Sequence, residues 1–158
     1  MTTGDKKEQV PYSQLRQQKR QPLSEIIPLK GPFTIYLEPT NICNFKCVFC
    51  PESFSDYEEK SGGLHQMSYE DFVHIADQIK RMGTVKTLNF YMMGEPFVNK
   101  QLIQFIAYAK QQNIAERVIV TTNGSLLTES KYNDIIHSGL DYLRVSIYGA
   151  SDDTHKGH

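Results

Sequence analysis

Cysteine is scarce in this sequence: three occur in 158 residues, and there is no fourth. Three thiols so close together cannot staple distant parts of the chain, and nothing at the N-terminus reads as an export signal. A disulfide framework is therefore a poor reading. No run of about eighteen apolar residues occurs, so no membrane-spanning helix is expected. Neither sign of charge dominates. The 17 Lys and Arg against 18 Asp and Glu leave a net charge of −1, which gives no electrostatic reason to expect nucleic acid or an anionic membrane as partner. Clustered cysteine without an export signal fits a reducing cytosol, so a cytoplasmic location is expected. What is left is a chain with 39% apolar and 22% charged residues, ordinary for a globular protein and long enough for one domain with its own core.

The three cysteines that are present share one short window, Cys43-Asn44-Phe45-Lys46-Cys47-Val48-Phe49-Cys50. Free cysteine packs as a small hydrophobe, but buried thiols follow core positions rather than crowd into a loop. Thiolates spaced by three and two intervening residues can instead wrap a metal centre. Two such readings stay open. A structural zinc ion wants four protein ligands, and the fourth would be a residue such as His65. A four-iron cluster held by three cysteines leaves one iron open, which makes it a coordination site for a substrate or cofactor.

Around this window the chain reads as alternating strands and helices. Residues 1–32, with Pro11, Pro22, Pro28 and Pro32 and no sustained apolar period, are expected to be an extended or disordered lead-in. Within it, Leu23, Ile26, Ile27 and Leu29 offer a short segment to pack on the domain that fills 33–158. Phe33 to Glu38 alternates as a first strand, and Pro39 stops it, so the cysteine loop follows directly from a strand end. Pro51 to Gln66 reads as an irregular polar loop. Ser68 caps a helix with Asp71 three residues on, carries Phe72, Ile75, Ala76, Ile79 and Met82 at helical spacing, and ends at Gly83. His74 falls off that stripe.

Thr87 to Tyr91 is the second strand and runs into Gly94-Glu95-Pro96. Lys100 to Gln112 forms a helix with Leu102, Phe105, Ile106 and Ala109 inward. Arg117 to Thr121 is the third strand, ending in the turn Thr122-Asn123-Gly124. A helix capped by Thr128, with Tyr132, Ile135 and Ile136 inward and Gly139 as its stop, leads to the fourth strand, Tyr142 to Tyr148. A polar tail follows, in which His155 and His158 are assigned nothing.

Same-direction strands need crossovers, and this alternation is the grammar of a parallel sheet. Right-handed crossovers put every strand's C-terminal end on one rim. Four motifs then share that rim: the cysteine loop, Gly94-Glu95-Pro96, Thr122-Asn123-Gly124, and Ser146 to Gly149.

The spacing Cys43-x3-Cys47-x2-Cys50, with aromatic Phe49 before the last cysteine, resembles the signature of the radical S-adenosylmethionine (radical SAM) enzymes. In spelling it is similar to their SPASM-type members. The likeness runs from about Phe33 to His158, with its motifs in the family's order. It implies a partial (βα) barrel of about four parallel strands and three helices, an incomplete core whose C-terminal units are missing. It also implies a 4Fe-4S cluster on Cys43, Cys47 and Cys50, with S-adenosyl-L-methionine on the open iron.

By the same resemblance the backbone at Phe49 lies near the adenine, and Gly94 and Glu95 take the ammonium of the cofactor's methionine part, with Met93 standing where the family usually has a first glycine. Asn123 faces cofactor or substrate, and Ser146 meets the cofactor's carboxylate or ribose. The implied reaction is reductive cleavage of the cofactor followed by hydrogen abstraction from a substrate the sequence does not name. Electrons would come from an external donor such as a flavodoxin or ferredoxin. No catalytic residue is singled out. The other class of reading is a non-catalytic zinc- or iron-sulfur-binding module.

Overall fold

A computed structural model of the chain describes residues 22–149 and 151. The earlier part of the lead-in, and the tail with His155 and His158, lie outside the described residues. Four strands, β1 (Thr34–Leu37), β2 (Val85–Phe90), β3 (Ala115–Thr122) and β4 (Tyr142–Val145), form one sheet in the order β1-β2-β3-β4. All three pairings are parallel. The helices are α1 (Tyr57–Lys60), α2 (Tyr69–Arg81), α3 (Leu102–Gln111) and α4 (Glu129–His137).

Period-2 alternation sends successive side chains to opposite faces, and parallel register lines them up across strands. Ile35, Leu88 and Val118 form one row on the helix-covered face; Leu37, Phe90, Val120 and Leu143 form the next. Against these rows α2 sets Phe72, Ala76 and Ile79, and α3 sets Leu102, Phe105, Ile106 and Ala109, all buried. The inward set expected of α3 is the set observed. Phe72 and Phe105 stack with ring centroids 4.5 Å apart, and Phe90 lies 5.7 Å from Phe72. Burying each phenyl contributes about 1.5–3 kcal/mol, and each ring pair adds about 0.5–1.5 kcal/mol. The other face carries the row Tyr36, Asn89, Ile119 and Tyr142. On that side Tyr91 meets Tyr36 edge-on at 5.5 Å and lies under the Arg144 guanidinium at 5.9 Å.

Local signals explain the boundaries. Ser68 Oγ accepts a hydrogen bond from Asp71 N at 3.0 Å, the cap expected of α2. Gly83, with φ of +100°, takes the left-handed turn that ends it.

Several expectations are corrected. The 51–66 stretch is not wholly irregular: it holds a 3-10 turn at Pro51–Ser53 and the four-residue α1, which raises the helix count to four. The Asp56–Lys60 ion pair at 2.7 Å supports that single turn, too short to show a period. Thr128 occupies the N-cap of α4, but its hydroxyl lies 3.0 Å from Ser130 Oγ and makes no capping bond. Of the three apolar residues expected inward on α4, only Ile135 is buried. Tyr132 and Ile136 are exposed, Ile136 at 71%, and the core here is completed from the flanking loops by Leu126, Leu127 and Leu140. Met82, expected on the apolar stripe of α2, is its exposed C-cap. Strand β4 ends at Val145 rather than Tyr148, although Ser146 N still reaches Thr122 O at 2.8 Å. Leu23, Ile27 and Leu29 stay exposed beside a 3-10 turn at Leu23–Glu25 instead of packing down.

Candidate cluster and cofactor site

The C-terminal ends of β1, β2 and β3 lie side by side, so the loops that leave them meet. From β1 the chain passes Glu38, whose carboxylate accepts Met93 N at 2.6 Å. Thr40 is buried; its hydroxyl donates to His65 O at 2.8 Å and accepts Ile42 N at 3.1 Å. Asn41 donates through Nδ2 to Gly63 O at 2.8 Å and accepts His65 N at 2.6 Å. The base of the cysteine loop is thus bound to residues 63–65 through side chains that mimic backbone pairing. His65 Nε2 lies 3.0 Å from Gly62 O, so its ring is turned to its own loop.

All three cysteines are free and half-buried. Cys50 N donates to Cys47 O at 2.9 Å, closing a turn between two of them. Lys46 Nζ reaches across to Glu52, at 2.7 Å from its carbonyl and 3.2 Å from Oε2. Glu52 is only 2% exposed, and its second oxygen, Oε1, has no partner. The sulfur of Cys43 accepts Phe45 N at 3.4 Å and has Asn123 Nδ2 at 3.9 Å. Burial pushes the Cys43 thiol above its ordinary pKa, the Phe45 N–H opposes this, and the negative charges of Glu52, Glu95 and Cys47 add to the rise.

The second motif fits beneath the loop. A Cβ on Gly94 would run into the Thr40 carbonyl and lie 2.8 Å from both N and O of Ile42, all backbone atoms. Glycine is required here because two main chains touch, and Glu95 N then donates to Ile42 O at 3.0 Å. Glu95 is 2% exposed. Its Oε1 accepts Phe97 N at 3.1 Å and Thr122 Oγ1 at 2.6 Å, and its Oε2 accepts Asn123 N at 2.7 Å. One carboxylate therefore caps the 3-10 turn Pro96–Val98 and pins the end of β3.

The structure brings Cys43, Glu95 and Asn123 into one connected network. Phe49 and Ser146 sit apart from it. Phe49 is 53% exposed, its ring 4.7 Å from that of Tyr148, and half-buried Ser146 is held through its backbone to Thr122. Four partners went unread in the sequence. Buried Asn99 donates to both Pro39 O at 2.8 Å and Met67 O at 2.9 Å. Glu52 lies beside the last cysteine, and Asn44 and Ser125 bind Asn123. Asn99 had one readable signal, its place at the end of a Pro-initiated turn. Glu52 pairs with Lys46 six positions away in its own loop, whereas the link from Asn44 to Asn123 and Ser125 shows only once β1 and β3 are set two strands apart.

His65, the fourth ligand a structural zinc ion would want, is turned to Gly62 O of its own loop, which leaves three free thiols, the number that holds a four-iron cluster with one iron open. Thiolates on one zinc must crowd to within about 4 Å of one another, since each Zn–S bond is about 2.3 Å. Among the described residues no three Cys, His, Asp or Glu side chains are grouped to hold one metal ion. Cluster thiolates instead bind separate irons, and amide N–H groups turned on their sulfurs are part of such sites.

A parallel αβ sheet with three free thiols on the loop at its C-terminal rim has the layout of a partial (βα) barrel. Residues 37–158 match the Radical SAM superfamily model, and the chain belongs to that superfamily. Members of it use a 4Fe-4S cluster and S-adenosylmethionine.

The chain is 29% identical over 113 residues to a tungsten-containing aldehyde ferredoxin oxidoreductase cofactor-modifying protein of Pyrococcus furiosus, covering 72% of this chain and 30% of the relative. It is 32% identical over 123 residues to a probable GTP 3',8-cyclase of Saccharolobus solfataricus, covering 74% and 35%. In fold it is similar to BtrN, whose crystal structure is in complex with AdoMet and 2-DOIA. There the TM-score is 0.64 at 24% identity, covering 75% of this chain and 47% of BtrN. The chain thus spans about a third of the length of these two curated relatives. Among the described residues no helix is long and apolar enough to cross a membrane.

Proposed function

We propose that this chain carries the cluster-bearing part of a radical SAM enzyme, within a core domain of residues 33–158 that follows a lead-in of residues 1–32. Cys43, Cys47 and Cys50 hold a 4Fe-4S cluster, and S-adenosyl-L-methionine binds at its open iron. The observation that carries this reading is the placement of three free, half-buried thiols on one loop, packed through Gly94 against the loop that presents buried Glu95. When bound, the reduced cluster and its cofactor supply a carbon-centred radical that removes hydrogen from an unreactive carbon.

The chain's own residues do the holding. A carboxylate offers about four acceptor positions, and the three donors on Glu95 leave room at Oε2 for an ammonium. Buried beside that position, the Glu95 charge favours the cofactor's cationic methionine end. Phe49 and Tyr148 form an edge-to-face pair on the open side of the loop, suited to the flat adenine. The Ser146 hydroxyl, one residue beyond β4, suits the ribose or carboxylate. Glu52 and Glu95 make the surroundings of Cys43 negative, which resists further charge on the thiolates and attracts the cationic cofactor.

The reductant is external, such as a flavodoxin or ferredoxin in the reducing cytoplasm.

Anaerobic reconstitution with iron and sulfide tests the reading. About four irons per chain are expected, with an electron paramagnetic resonance signal that shifts on adding S-adenosylmethionine. Glu95→Gln keeps the iron and weakens cofactor binding roughly tenfold or more, about 1.4 kcal/mol or above. Stoichiometric zinc without iron uptake, or a cluster indifferent to the cofactor, would overturn it.

A further inference from the structure

We infer that Asn123 is a positioning residue of the cluster rather than a contact of the cofactor: its side-chain amide donates to the sulfur of Cys43 and raises the reduction potential of the cluster held there. This rests on the reading above that Cys43 is an iron ligand.

The orientation of the amide follows from its neighbours. Ser125 N, which can only donate, lies 2.9 Å from Asn123 Oδ1, and Ser125 Oγ donates to the same oxygen at 2.7 Å. The oxygen therefore faces Ser125, and Nδ2 is turned the other way. There it donates to Asn44 Oδ1 at 3.0 Å, while Asn44 Nδ2 donates to Ser125 Oγ at 2.7 Å. Asn123, Asn44 and Ser125 close a ring in which every member both donates and accepts in one sense, an arrangement whose bonds reinforce one another.

An amide nitrogen has two hydrogens. One is used on Asn44; the other side of Nδ2 has Cys43 Sγ at 3.9 Å, the long reach of an N–H toward a large, soft acceptor. The backbone is fixed as firmly. Asn123 N is held by Glu95 at 2.7 Å, and Gly124, at φ of +81°, turns the chain with its N–H on Thr122 Oγ1 at 3.0 Å.

One-electron reduction adds a negative charge that the cluster shares with its thiolates. An N–H dipole aimed at a ligand sulfur stabilises that extra charge, which favours the reduced form. Phe45 N, at 3.4 Å from the same sulfur, acts in the same sense through the backbone. Asn123 is the side chain among these donors, and so the one a substitution can remove.

The test is a redox titration of the reconstituted full chain, followed by the resonance signal of the reduced cluster. Asn123→Ala is expected to keep its iron and lower the reduced-to-oxidised ratio roughly tenfold at fixed potential, which for one electron is about 59 mV. Ser125→Ala removes the hydroxyl bond to Asn123 Oδ1 and the one from Asn44 while Ser125 N keeps the amide's orientation, so it loosens the amide and shifts the potential the same way by less. Being at an exposed position, it carries the test if Asn123→Ala fails to fold. An unchanged midpoint in an iron-replete variant overturns the inference. An unchanged midpoint with weakened S-adenosylmethionine binding returns Asn123 to the cofactor. A wild-type chain that takes up no iron overturns the reading of the cysteines, and the inference falls with it.

Discussion

Over β2 and β3 the rim is closed by its own polar groups, whereas toward β4 it is left open. On the first side Glu95, Asn99 and Thr122 are buried and each is hydrogen-bonded to another loop. On the second, Val48, Phe49, Ile147 and Tyr148 are exposed, with the rings of Phe49 and Tyr148 in contact. The difference follows from what each side is made of. Buried carboxylates and amides must find partners within the fold, because each one left unpaired costs about 1–3 kcal/mol. Apolar side chains held at the surface of a loop have no such requirement and wait for a body to cover them. The closed side sets geometry; the open side keeps its apolar side chains at the surface.

That contrast can be broken most severely at Gly94. In Gly94→Ala the new methyl meets the backbone of Thr40 and Ile42, which cannot move without parting the two loops. A loss of about 3 kcal/mol or more is expected, read as a lower urea midpoint. Next comes Asn99→Ala, which strips donors from the carbonyls of Pro39 and Met67. It is expected to cost about 2 kcal/mol, a fall of roughly 1 M in urea midpoint. On the open side Phe49→Ala removes an exposed ring that meets Tyr148 edge-on, so its stability cost is about 0.5–1 kcal/mol. Its effect falls on S-adenosylmethionine affinity, measured by titration of the reconstituted chain. If Phe49→Ala proved as costly to the fold as Asn99→Ala, the division of the rim into closed and open sides would be wrong.

How much of this could be read from the sequence follows the same division. The alternation of strands and helices was legible because the inward residues repeat at helical spacing, as Leu102, Phe105, Ile106 and Ala109 do. The order of motifs on the rim was legible because parallel strands place every C-terminal end together. What could not be read was who binds whom across the rim. Gly94 was expected to take the cofactor's ammonium with Glu95; its close approach to Thr40 and Ile42 was not read. Glu95 was expected to take the cofactor's ammonium; that three of its acceptor positions also hold this chain together was not read. Such pairings join residues 27 and 28 positions apart across β3, or 80 apart from Cys43 to Asn123, and no local pattern encodes them. The helix α4 was misjudged for a related reason: its spacing is right for an apolar stripe, but the sheet gives only Ile135 a place to go.

The strand order β1-β2-β3-β4 also dictates a history for each new molecule. Because every strand pairs with its neighbours in the chain, the sheet can assemble in the order the ribosome delivers it. Cys43 emerges long before Asn123, which follows it by 80 residues. At about 5–20 residues per second that is a delay of roughly 4–16 s. During that interval the thiols are present without the turn that clasps them, open to oxidation and to stray metals. On the proposed reading of the cysteines, iron and sulfide are best delivered after synthesis has passed β3, when the turn that meets Cys43 is present.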